Sequence, residues 1–219
     1  MLSTNHVNRH PLPPLTIGVM GSAGGEISAD VRAKVRRLGE EIGRRRYVLI
    51  TGAAPGLPHD AVIGAKSAGG FVVGISPALN LAEHVTKYHS PTRGYDAIVY
   101  TGSGLMGREI ENIRSCDVVV FAGGRSGTLG EFAIAYDEGK VIGALTGTGG
   151  ITDYLDDIIT IMNKKTEAIV TYNPDPIGLL DDLERIYREQ ILPGYLKTIA
   201  GHDTDGVMEG AGAQHNLPI

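Results

Sequence analysis

Between residues 15 and 187, short β-branched or apolar runs alternate with segments of helical period, and this beat constrains the fold more than any other feature. A strand that returns parallel to its predecessor needs a crossover helix. The alternation therefore predicts βαβ units and a mainly parallel, doubly wound α/β sheet of Rossmann-like form. The expected strands are residues 15–20, 47–51, 71–75, 97–100, 117–121, 141–145 and 168–172, about seven in one domain. Ser28 is placed to cap a helix whose apolar face is Val31, Val35, Leu38 and Ile42. Further helices are expected over 59–68, 105–114, 128–138, 151–161 and 177–187, while the stretch from 76 to 96 shows no period and reads as a long loop. The run Arg44-Arg45-Arg46 closes the first helix, where cations complement the helix dipole.

Composition narrows the function. Of 219 residues, 42% are hydrophobic and 21% charged, so the chain can bury a sizeable core. A net charge of −5 gives no uniform positive field for nucleic acid or an anionic membrane. The single cysteine, Cys116, allows no internal disulfide, and no signal peptide or membrane span is visible. A cytoplasmic protein is expected. Residues 1–14 and 201–219 lack apolar period and are read as mobile tails flanking a domain over 15–200.

Glycine is the outlier, at 31 residues, about twice its usual share. Ligands of an open parallel sheet bind beyond the carboxyl ends of the strands, and four of the loops expected there are glycine-rich: 21–25, 52–56, 102–104 and 123–128. Glycine lets backbone N–H groups approach an anion at a helix start, so the four together point to a phosphate or nucleotide site. No loop carries the P-loop pattern, and none combines G-x-G-x-x-G with a later acid, which argues against an NTPase or a standard dehydrogenase. His59, His84 and His89 show no metal-ligand spacing and read as surface histidines; no metal and no cofactor is expected.

The segment from Leu105-Met106-Gly107-Arg108-Glu109 to Gly123-Gly124-Arg125-Ser126-Gly127-Thr128-Leu129-Gly130-Glu131 resembles the LOG ("lonely guy") family. These proteins were long misnamed lysine decarboxylases and are phosphoribohydrolases that activate cytokinin nucleotides. They pair an M-x-x-R-K helix with P-G-G-x-G-T-x-x-E. Similarity extends through IGVMGSAGG, LITGAAPGLPHDAVIGAKSAGGFVVGISP and DVVVFAGGRSGTLGEFAIAYDEGKVIGAL. Four positions depart from the pattern: Glu109 stands for lysine, Leu105 for methionine, and a gapless match puts Gly123-Gly124-Arg125 where P-G-G would be, with Gly123 for proline and Arg125 for glycine. Such versions look more like the branch that includes molybdenum-cofactor carrier proteins, which hold a phosphorylated pterin without cleaving it.

The resemblance implies catalytic roles for Arg108 and Glu131. Arg108 has the fork geometry to hold phosphate, or else forms a salt bridge with Glu111 or Glu131. Glu131 would stabilise positive charge developing on ribose or orient the attacking water, or else complements its helix start. Gly21, Ser22, Gly52, Gly124, Arg125, Ser126, Gly127 and Thr128 would line the pocket and bind phosphate. The expected partner is a small phosphorylated ligand, either a nucleoside monophosphate cleaved to free base and ribose 5-phosphate or a pterin phosphate that is only carried. No lysine sits in a pyridoxal-phosphate context, so lysine decarboxylation is not expected. A homodimer is implied, with Ile110, Ile113, Phe132 and Ile134 as candidate interface residues.

Overall fold

All seven β-branched runs pair side by side in the computed structural model, which describes residues 12–200. The strands are β1 (Thr16–Gly21), β2 (Val48–Thr51), β3 (Phe71–Ser76), β4 (Ala97–Tyr100), β5 (Val118–Ala122), β6 (Val141–Leu145) and β7 (Ile169–Asn173). Every pairing is parallel, and the order across the sheet is β4-β3-β2-β1-β5-β6-β7. The chain thus winds outward from β1 in one direction and from β5 in the other. The crevice between the carboxyl ends of β1 and β5 is the switch point of the sheet.

The helices are α1 (Ala29–Arg44), α2 (Leu57–Ser67), α3 (Leu81–Thr86), α4 (Gly104–Arg114), α5 (Ser126–Asp137), α6 (Leu155–Met162), α7 (Pro176–Ile186) and α8 (Leu192–Ile199). A 3₁₀ turn over Gly150–Tyr154 leads into α6, and a π-helical turn over Tyr187–Ile191 joins α7 to α8. Alternate strand residues feed two cores. Ile17, Val19, Val118 and Val120 pack with α1, α2 and α7, whereas Met20, Val119 and Phe121 pack with Ile113, Phe132 and Leu155 on the other face. Because both faces are covered, β5 and β6 are buried along their whole length.

Some expectations need correction. The stretch 76–96 contains α3, which its six residues are too few to announce by period; Asn80 Oδ1 caps it by accepting from Glu83 N at 3.0 Å. His84 on that helix is fully buried instead of lying on the surface. Its Nε2–H donates to the Pro91 carbonyl at 3.0 Å and its Nδ1 accepts from the Ser76 hydroxyl at 2.9 Å. Ile113 and Phe132 are also fully buried, so they belong to the core and to no interface. Beyond the helix dipole, Arg44 and Arg45 bond Glu41, and Arg45 reaches Asp181 and Glu184 on α7. Of the expected tails, 1–14 and 201–219, residues 1–11 and 201–219 lie outside the described residues, while Leu12, Pro13 and Pro14 line a cavity with Tyr47, Tyr187 and Leu192. Among the described residues, no helix is long and apolar enough to cross a membrane.

Candidate functional site

At the switch point a cavity of about 400 Å³ opens among the loops after β1, β2 and β5 and the first turns of α4 and α5. Its size is that of a small-molecule site. Gly21, Ser22, Gly52, Arg108, Arg125, Ser126, Gly127, Thr128 and Glu131 all line it. Gly124 stands behind this wall, and its N–H is taken up by Ser22 Oγ at 2.7 Å. Ser22 also accepts the Leu57 N–H on its carbonyl at 2.8 Å, so this one residue ties the β1 loop to the β5 loop and to the start of α2.

The start of α5 is bare. Its N-cap is Arg125, which supplies no capping hydrogen bond, and its first turn holds no acidic residue. The N–H groups of Ser126, Gly127 and Thr128 therefore have neither a side-chain cap nor a carbonyl one turn earlier to accept them, as at any helix start. They sit at the positive end of the helix dipole and line the cavity, as an anion site requires. Gly124, with φ +101°, sets the turn that leads there; a Cβ on it would lie 2.5 Å from Thr128 Cβ. Arg125 is exposed at the rim, with its guanidinium above Gly24.

Arg108 and Glu131 are both buried and form an ion pair, Nη1 to Oε1, at 3.0 Å. Of the two partners considered from sequence, Glu111 instead accepts from Ser103 at 2.7 Å. Because α5 begins at Ser126, Glu131 lies in its second turn, too far along for helix-start complementation to account for it. Burial pushes the Glu131 carboxyl up from its ordinary range, the Arg108 charge opposes this and the Glu109 charge adds to it. Glu109 is half-buried in the same cavity and is also pushed up by burial, against the pull of Arg108. Its carboxylate lies along α5, where a Cβ on Gly130 would come within 3.0 Å of Oε2.

The arrangement thus brings an uncapped helix start, a cation and a buried carboxylate to one opening, with a second carboxylate beside them. Asn112 was missed in the sequence, although it lies four residues after Arg108 on the same helical face. It is fully buried, with Nδ2 3.5 Å from Glu131 Oε1. Met20, Ala23, Ala54, Pro58 and Leu105 complete the lining and carry no polar signal by which the sequence would reveal them.

The sequence pattern of the SLOG cluster4 family matches residues 14–177. An uncharacterized protein of Archaeoglobus fulgidus is 34% identical over 131 residues, which is 60% of this chain and 80% of that protein. Among solved structures, TM1055 superposes with a TM-score of 0.69 at 26% identity, covering 78% of this chain and 99% of its own. The molybdenum cofactor binding protein of the phototrophic bacterium Rippkaea orientalis gives 0.65 at 26% identity, with 80% and 98% covered.

Proposed function

The chain belongs to the SLOG cluster4 family, and on that footing we propose that its cavity binds a phosphorylated ligand and hydrolyses the N-glycosidic bond of nucleoside 5′-monophosphates, releasing free base and ribose 5-phosphate. One observation carries this reading: the Arg108–Glu131 pair, at 3.0 Å, lies in the same cavity as the uncapped start of α5. The phosphate takes the N–H groups of Ser126, Gly127 and Thr128, with Arg125 closing over it from the rim. The ribose then lies toward Glu131. As the C1′–N bond breaks and its electron pair leaves with the base, positive charge grows on C1′, and the ionised carboxylate stabilises it. Water adds to C1′ and gives its proton to Glu131, while the departing base takes a proton from solvent. Arg108 favours the ionised form of Glu131, opposing the burial that favours the neutral acid.

Glu109 favours a second reading. It places a further negative charge beside the phosphate cradle, and the R. orientalis relative binds molybdenum cofactor. A pterin phosphate held without turnover is the corresponding function here. Incubation with AMP, GMP and related monophosphates, followed by chromatography for free base, separates the two, because only the hydrolase releases base.

The same proposal extends to assembly and compartment. Leu105, Met106 and Ile110 on α4 are 57%, 80% and 40% exposed, an apolar face suited to a second copy of the chain. The buried, unpaired Cys116 suits the reducing cytoplasm. Light scattering that gives one chain mass at micromolar concentration would overturn the dimer.

A further inference from the structure

Asn112 does not line the cavity. It lies one helical turn beyond Arg108 on α4, fully buried, with Nδ2 2.9 Å from Met20 Sδ and 3.5 Å from Glu131 Oε1. Arg108 Nη1 donates to that same oxygen at 3.0 Å. Two donors at i and i+4 thus converge on Oε1, and among the described residues Oε2 accepts no hydrogen bond.

Packing alone does not account for an amide here. Asn112 Oδ1 is buried with no partner, and an unsatisfied buried acceptor costs free energy that an apolar side chain at the same place avoids. What the amide supplies, and an apolar residue would not, is its N–H toward the carboxylate.

We propose that Asn112 is the positioning residue of Glu131, fixing Oε1 together with Arg108 so that Oε2 is the oxygen turned to the ligand. This rests on the reading of Glu131 as the reacting carboxylate, although the contact itself is testable without a substrate. The charges that bear on Glu131 are Arg108 and Glu109, both on α4; the Cys116 thiol, two residues beyond that helix, is pushed up by burial and adds no charge. Asn112 is the neutral donor of the set. Its loss removes a hydrogen bond to the charged form and raises the pH at which Glu131 titrates.

The test is a carbon-13 NMR titration of the glutamate side-chain carboxyls in the full-length protein, with Glu131→Gln identifying the Glu131 signal. In Asn112→Leu the Glu131 midpoint should rise by about half a pH unit or more, because one stabilising donor is gone. Asn112→Ala should move it the same way, which covers the case in which leucine is not accommodated. If nucleotide is cleaved, the acid limb of kcat should move with the midpoint while KM stays within about twofold, as for a group that acts through another. An unchanged midpoint in both variants overturns the proposal whatever the turnover. A raised midpoint in a protein that cleaves no nucleotide upholds the contact and rejects the hydrolase.

Discussion

The guanidinium of Arg108 lies directly on the backbone of Gly52: a Cβ added there would overlap Nη1 and stand 2.6 Å from Cζ. Gly52 thus earns its place at the end of β2 by leaving room for a side chain from α4, and its φ is not in the left-handed region. The expected phosphate-loop glycine is in practice a platform for the cation. Gly52→Ala should therefore displace Arg108 without straining the backbone, at about 1–3 kcal/mol of stability as for other overpacked sites. Binding of a phosphorylated ligand, measured by calorimetry, should fall along with it. Unchanged affinity and melting temperature would show that the guanidinium is not held where it is described.

Arg108→Ala and Glu131→Gln should part company. Removing Arg108 leaves a buried carboxylate without its cation, at a cost of about 3–5 kcal/mol, and weakens ligand binding. Glu131→Gln keeps shape and loses charge, so it should spare binding and abolish turnover. The sign with pH follows from burial. The folded state holds a proton on Glu131 more tightly than the unfolded chain does, so this group favours the fold at low pH and weakens it as pH rises through the window above 4.5. Chemical denaturation across that window should show the slope in the wild type and its loss in Glu131→Gln.

Glu109 brings a carboxylate beside the start of α5, where the anion is proposed to bind. Glu109→Gln should tighten binding of inorganic phosphate or a nucleoside monophosphate by about five- to tenfold, equivalent to about 1–1.4 kcal/mol of relieved repulsion at close range. The gain should shrink at high salt. Weaker binding in Glu109→Gln would instead mean that the carboxylate touches the ligand as an acceptor.

Much of this was legible in the sequence, and the misses have physical causes. The strands declared themselves because a sheet covered on both faces requires continuous β-branched runs, as in Val118-Val119-Val120. The site loops showed as glycine. Six-residue α3 is too short to display a period, and its anchor, buried His84, looks like any surface histidine until Ser76 and Pro91 are seen to satisfy both ring nitrogens. Ile113 and Phe132 read as a second apolar helix face because sequence cannot say which stripe meets the sheet. Asn112 escaped because its meaning depends on Glu131, nineteen residues away and on another helix.

Acid should loosen the α1–α7 contact. Burial pushes Glu41 up, but hydrogen bonds from Arg44 and Arg45 outweigh it and hold the carboxyl below its ordinary 4.5. The stabilisation is therefore complete above pH 4.5 and is lost as pH falls through the lowered value. Melting temperature followed from pH 7 downward should drop in the wild type, and Glu41→Gln should flatten the acid limb while lowering the neutral plateau. An acid limb of the same steepness in Glu41→Gln would place the acid-sensitive group elsewhere.

The most direct measurement is chromatography of AMP and GMP incubated with the wild type and with Glu131→Gln. The expected result is free base and equimolar ribose 5-phosphate from the wild type, with none above background from Glu131→Gln although it binds the nucleotide as well as the wild type does. Nucleotide that is bound but recovered intact from the wild type, or cleaved equally by Glu131→Gln, would contradict a buried carboxylate acting on an N-glycosidic bond.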